Sequence, residues 1–369
     1  MPRYTDVFVA GGGPAGLAAA IALRDRGFQV AVADFARPRI DKTCGEGLMP
    51  DALEALARLG VDLDPLRCYP FRGIRFLGDG VSVEASFPAG RGLGVRRTHL
   101  HGALVERAML AGVSLLWGAA VRGVSDKGVR LDDGVVSCRW IIGADGENSR
   151  VRKWTGLDAS RHEVQRFGFQ RHYRIEPWSD CMEIYWGGGC QIYVTPVAPH
   201  QVCVVAISRD SHLRLDRALP AFPDLSARLT GAAIISAERG AVSASRLLRK
   251  VFRRNVILLG DASGSVDAIT GEGLRLSFEQ AFALASALPS GDLNAYQAAH
   301  RRLARRPAFM ANLMLSMDRS AWLRRRALRA MASEPRIFAK QLAMHVGAIS
   351  IPDFARNAML PLGRGILAW

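Results

Sequence analysis

The stretch Asp6–Asp34 reads DVFVAGGGPAGLAAAIALRDRGFQVAVAD, an order of elements that few folds accommodate. Val7–Ala10 is a short apolar run of the kind used by buried parallel strands. It leads straight into Gly11-Gly12-Gly13-Pro14-Ala15-Gly16, a G-x-G-x-x-G pattern. An Ala- and Leu-rich helix follows, with Gly27 where a helix C-cap needs positive φ. Gln29–Ala33 reads as a second strand ending at Asp34. Gly11 permits the tight turn, Gly13 lets backbone approach a pyrophosphate, and Gly16 lets helix and strand pack closely. The helix N-terminus offers free N–H groups and a positive dipole end, and Asp34 stands where a carboxylate accepts from a ribose hydroxyl. The stretch is a dinucleotide-binding βαβ unit, with Gly11, Gly13, Pro14, Ala15, Gly16 and Asp34 as candidate contacts.

The 369 residues suffice for two or three packed regions, and 49% hydrophobic with 22% charged residues is ordinary globular composition. No apolar run is long enough for a spanning helix, and with the first strand starting within six residues no signal peptide is expected. Cys44, Cys68, Cys138, Cys181, Cys190 and Cys203 are scattered without a C-x-x-C or Cys/His cluster. That argues against a zinc site or disulfide framework and predicts a reducing, cytoplasmic setting. The formal charge is +15 and is uneven: residues 300–369 hold 13 Lys and Arg against 3 acids, so +10 of it lies there.

Beyond Asp34, Thr43-Cys44-Gly45-Glu46-Gly47-Leu48 has two glycines one residue apart, which suggests backbone passing close to a ligand. Gly73–Phe87 alternates apolar and polar residues about Gly78-Asp79-Gly80, a β-hairpin pattern. Thr98–Ala111 reads as a helix preceded by Arg96-Arg97. Residues 113–142 form a small strand meander that ends in Gly143-Ala144-Asp145-Gly146. Strand patterns continue from about Phe167 to Ala241. Asn255–Leu259 is another buried-strand run, leading into Gly260-Asp261-Ala262-Ser263 and then Thr270-Gly271-Glu272-Gly273-Leu274 before a helix.

Three of these motifs, GGGPAG at Gly11–Gly16, GADGENSRVR at Gly143–Arg152 and GDASGSVDAITGEGL at Gly260–Leu274, together resemble the glutathione-reductase-like FAD proteins of the aromatic-hydroxylase fold. That group includes single-component monooxygenases, flavin halogenases and geranylgeranyl-type reductases. The resemblance covers most of the first 290 residues. It implies an α/β protein: a Rossmann-like FAD-binding domain with a parallel sheet and β-meander, an inserted, mostly antiparallel substrate domain, and a helical C-terminus. The expected division is 1–70, 93–160 and 246–299 for FAD, 71–92 and 161–245 for substrate, and 300–369 as a basic helical region.

The resemblance also implies roles. Arg97 stands where the family places a phosphate-pairing arginine, and Asp261 where a carboxylate binds the ribityl or phosphate-proximal oxygens. Asp145 falls in a motif of partly structural role. Gly260 opens the motif of Asp261. Gly271, Glu272, Gly273 and Leu274 would set a helix N-terminus near flavin N1–C2=O. Cys44 lies in a loop similar to the segment against the isoalloxazine. His172 and Tyr173, in Arg171-His172-Tyr173-Arg174, are the candidate acid/base groups. No metal is expected.

Two departures bear on the reaction. Gly264 and Ala268 replace the His and Pro that hydroxylases usually carry after GDA, and the TGEGL and CGEGL endings resemble the reductase and halogenase branches. Gln191-Ile192-Tyr193-Val194-Thr195-Pro196 lacks the tryptophans of a halogenase motif and only half matches the archaeal reductase signature. The expectation leans to an NAD(P)H-using monooxygenase acting on a large hydrophobic molecule such as a polyketide or lipid. The alternative is a C=C reductase of the geranylgeranyl type, and a flavoprotein without turnover is the third. No second G-x-G-x-x-G follows a strand, so a nicotinamide would visit transiently or a separate protein would deliver electrons. In the C-terminal region Phe309, Met310, Leu313, Met314, Met317, Trp322, Leu323 and Leu328 interleave with arginines. That pattern predicts a helix packed on the core, a lid over a greasy substrate or a membrane-surface contact rather than nucleic-acid binding.

Overall fold

The computed structural model describes residues 2–158 and 160–368. Two eight-stranded sheets carry the architecture. In the first, Tyr4–Ala10 pairs in parallel with Val30–Asp34 on one side and Gly134–Gly143 on the other. Ser114–Trp117 and Val256–Leu258 extend it at either end, again in parallel. Phe8, Val32, Ile141 and Ile257 are fully or almost fully buried, as strands covered on both faces require. The strands Gly123–Ser125 and Gly128–Leu131 pair antiparallel with each other, and the second of them with Gly134–Gly143, which makes the meander.

The helix Pro14–Arg24 packs across this sheet with Leu17, Ala18, Ala19, Ala20 and Ile21 fully buried, which explains its Ala/Leu composition. The glycine spacing has steric causes. A Cβ on Gly16 would meet the Gly11 carbonyl oxygen at 1.9 Å, and one on Gly11 would meet Ala144 O at 2.3 Å. First strand, first helix and the GADG turn therefore close on one another only with glycine at both positions.

The second sheet runs through Ser160–Arg174, Gln201–Ser208, Cys190–Ala198 and Cys181–Trp186, all antiparallel neighbours. The hairpin Gly73–Gly78/Val81–Ser86 joins it through a parallel pairing with Cys181–Trp186. Asp79 and Gly80 sit at φ 52° and 74°, the left-handed pair that tight hairpin turns favour. A small third sheet, Gly47–Leu48 with Gly92–Val95 and Cys68–Phe71, holds the end of the CGEGL loop.

One face of the second sheet is covered by the C-terminal helices. Met310, Met314, Met317, Leu328, Phe338 and Leu342 are buried there, in one cluster with Phe76, Val83, Met182 and Ile184. Arg324 anchors the helix Ala321–Ser333 to the hairpin turn, with its Nε 2.9 Å from Asp79. The apolar residues of the basic C-terminal region thus pack mainly on the hairpin and sheet. Trp322 is an exception, half exposed with the Arg326 guanidinium 4.5 Å from its ring centre. Among the described residues no helix is long and apolar enough to cross a membrane.

Candidate cofactor and active site

The helix Pro14–Arg24 begins at Gly13 with no side-chain cap, so its first N–H groups are left for a ligand. A Cβ on Gly13 would meet nothing within 4 Å, whereas Gly11 and Gly16 are sterically locked. Pro14 occupies the first helical turn, where its missing N–H costs nothing. Ala15 packs against Gly260, whose added Cβ would come within 2.7 Å of it. Asp34 accepts from Gly12 N–H and Ala36 N–H, both at 2.8 Å, which fixes its carboxylate at the end of the second strand. His101, which no motif marks, reaches back from the helix Arg97–Leu110 and meets Gly12 O at 2.9 Å. Burial lowers its pKa, so it holds the loop as a neutral ring.

Arg97 opens that helix. It forms no ion pair among the described residues, and its Nε is buried without a hydrogen bond. A half-buried guanidinium whose Nε has no hydrogen-bond partner fits an anionic ligand. Asp261 remains accessible to solvent although much of the chain surrounds it. That surround pushes its carboxyl above the ordinary 3.8, and Arg97, Lys42 and Arg152 oppose the shift. Arg152 ties the second motif to the third: it donates to Asp158, to Glu147 O and to the carbonyls of Asp261 and Ala262. Gly260 adopts φ 61°, the conformation that turns the chain there.

Two of the candidate contacts have other work. Asp145 accepts from Ser149 Oγ and from the backbone of Arg150 and Val151, so its carboxylate caps the short helix Arg150–Trp154. Glu272 precedes the helix Gly273–Ala287, but its side chain turns inward to pair with Arg275 and Arg306, with the His345 ring beside it. The open positions in this motif are Gly271 and Gly273, where an added Cβ would meet nothing within 4 Å, and Leu274 is half-buried beside them. Together the uncapped helix starts, the open glycines and Arg97 fit an extended dinucleotide of FAD type.

The acid/base candidates separate. Along the strand Ser160–Arg174 side chains alternate between faces. His172 points to the Cys44–Gly47 loop, while Tyr173 packs in the opposite cluster with Phe169, Tyr185 and Leu215. Arg171 also lies away from His172 and pairs with Asp216 and Glu238. Tyr173 is therefore removed from the site by strand parity.

His172 Nε2 lies 2.7 Å from Glu46 Oε2, and Ser236 Oγ lies 2.9 Å from Nδ1. Ser236 also accepts from His172 N–H, so its hydroxyl proton is free for Nδ1 and the Nε2 proton for Glu46. Glu46, inside a glycine motif but with no motif role of its own, adopts φ 57° and is 2% exposed. Its other oxygen accepts from Arg97 N–H at 2.7 Å, and Arg96 Nε is 3.6 Å away. Cys203, directly opposite His172 across the sheet, donates to Cys44 O and accepts from Gln170, whose Oε1 accepts from Cys44 N–H. Glu46, His172 and Cys203 offer three ligand atoms within 4.8 Å of one another. The glutamate–histidine contact at hydrogen-bond length makes them a proton-holding pair with a neighbouring thiol. Cys44 is half-buried; burial pushes its thiol up and Arg97 opposes this.

Beside this loop, an apolar pocket opens between the second sheet and the C-terminal helices. Met49, Phe76, Met182, Tyr193, Ile269 and Met314 are among its walls. Met182 also links the two places, since a Cβ on Gly47 would meet its sulfur at 3.1 Å.

The residues that match the FAD binding domain family are 4–291, and the chain belongs to that family. It is an FAD-dependent oxidoreductase. It is similar to the menaquinone reductase of Mycobacterium tuberculosis, 30% identical over 78% of this chain and 77% of the relative. It is 28% identical to the 2-heptyl-3-hydroxy-4(1H)-quinolone synthase of Pseudomonas aeruginosa, over 76% of this chain and 79% of that one. Among solved structures, a flavoprotein/dehydrogenase from Cytophaga hutchinsonii superposes with a TM-score of 0.83 at 17% identity, covering 99% of both chains.

Proposed function

We propose that this protein is an FAD-dependent reductase that adds two hydrogens across a carbon–carbon double bond of a large apolar substrate. The observation that carries the reading is the buried pair between Glu46 of the Cys44–Gly47 loop and His172, beside an apolar pocket. Bound FAD would supply the hydride. The second hydrogen must arrive as a proton in a place from which water is kept, and the chain holds titratable groups there. Glu46 and His172 hold and orient one proton, and Cys44 carries another on its thiol. Met49, Ile269 and the C-terminal helices give the pocket apolar walls. The similarity to a protein named as a menaquinone reductase supports the same direction.

Oxygenation is the second reading, favoured by the similarity to the quinolone synthase. Electrons would come from NAD(P)H at a transient site or from a separate protein. Product mass decides between the two chemistries. A product heavier by two hydrogens supports reduction, and label from oxygen gas in the product supports oxygenation. We extend the proposal to a peripheral contact with an anionic membrane through the basic C-terminal helices, for which half-exposed Trp322 beside Arg326 is the support. Co-sedimentation with anionic vesicles that salt and Trp322→Ser both weaken supports that contact, and no binding at low salt rejects it.

A further inference from the structure

The apolar pocket has one polar wall. His345 and Gln341, four residues apart on the helix Pro335–His345, both line it, as does Thr270 of the turn that carries Gly271. His345 is 5% exposed and Gln341 3% exposed. Neither ring nitrogen of His345 makes a hydrogen bond among the described residues. Its Nδ1 lies 3.5 Å from Glu272 Oε2, yet both atoms are left without a hydrogen-bond partner. Gln341 spends its amide on a weak contact, 3.8 Å to Met310 Sδ. Buried polar groups in this condition cost stability unless a ligand completes them.

We propose that His345 and Gln341 form a polar subsite that hydrogen-bonds one carbonyl or hydroxyl oxygen of an otherwise apolar substrate. The subsite selects an oxygen-bearing ring over a plain hydrocarbon of the same shape. Its place beside Thr270 sets that oxygen at the end of the pocket nearest the Gly271–Gly273 turn. Burial holds His345 neutral, so the ring offers one donor and one acceptor. A site built to bond an oxygen discriminates against the analogue that lacks it, because its own groups then stay unpaired. The inference rests on the pocket being the substrate site of the reductase proposed above.

The test is ligand binding to the oxidised, FAD-loaded protein, read from perturbation of the flavin absorbance. The probes are a prenylated 1,4-naphthoquinone and the prenylated naphthalene with the same chain. The parent protein is expected to prefer the quinone by about tenfold or more. His345→Phe and Gln341→Leu should each lose most of that preference while binding the hydrocarbon as before, and His345→Asn should restore part of it. Melting temperature and flavin content identify any variant that fails to fold, and the other variant then carries the test. Equal binding of both probes by the parent, or an unchanged preference in the folded variants, overturns the subsite. Binding with the predicted preference but without double-bond reduction would sink the proposed reaction and leave the subsite standing.

Discussion

Glu46 Oε2 and His172 Nε2 meet at 2.7 Å although 126 residues separate them in the chain. Glu46→Gln keeps the shape and removes the charge and the proton-holding carboxylate. The rate of substrate reduction should fall by about 100-fold, with flavin content unchanged. Rapid-mixing absorbance of the flavin measures this, and an unaltered rate excludes the pair from proton supply.

The glycines of the first motif should respond differently. Gly16→Ala forces a Cβ against the Gly11 carbonyl and should destabilise the fold by about 1–3 kcal/mol. Gly13→Ala meets no protein atom, so the flavin-free protein should melt as before while its FAD affinity drops. Thermal melting with and without added FAD separates the two; equal melting losses in both flavin-free variants would refute the distinction.

The first motif and the longer strands of both sheets are legible in the sequence because their signals are local: apolar runs, glycine spacing and turns inside single supersecondary units. The Glu46–His172 pair is not. It depends on a non-glycine residue in the left-handed region and on the register that sets His172 opposite Cys203. The RHYR run marks a polar strand without revealing that alternate residues face different clusters, which is why Tyr173 reads as a site residue. The helical spacing of Met310, Met314 and Met317 announces an apolar face. Only the tertiary fold shows that the hairpin beneath it is what that face covers.

Asp261→Ala is expected to weaken FAD binding by about tenfold, the worth of one charge-assisted hydrogen bond. Equilibrium dialysis of flavin against the variant and its parent provides the check, and equal occupancy would remove Asp261 from the site.

His300 gives the fold a pH dependence. It is buried beside Ser263 of the third motif, with Nε2 2.8 Å from Ser263 Oγ, and burial lowers its pKa from 6.5 to about 4. Between those values the unfolded chain binds the proton and the folded chain does not, so stability falls as pH falls from 6.5 towards 4. The loss from this group approaches about 3 kcal/mol. Denaturant unfolding of parent and His300→Gln across that range should show a shallower acid loss in the variant. Parallel profiles would contradict the assignment.

The reaction itself is tested most directly without oxygen. The FAD-loaded protein is reduced under nitrogen, mixed with a prenylated quinol or a polyene, whose only reducible groups are its carbon–carbon double bonds, and followed by flavin absorbance. Double-bond reduction predicts that the flavin reoxidises as substrate is added and that the product carries two more hydrogens. A flavin that stays reduced until air enters, followed by label from oxygen gas in the product, would contradict it.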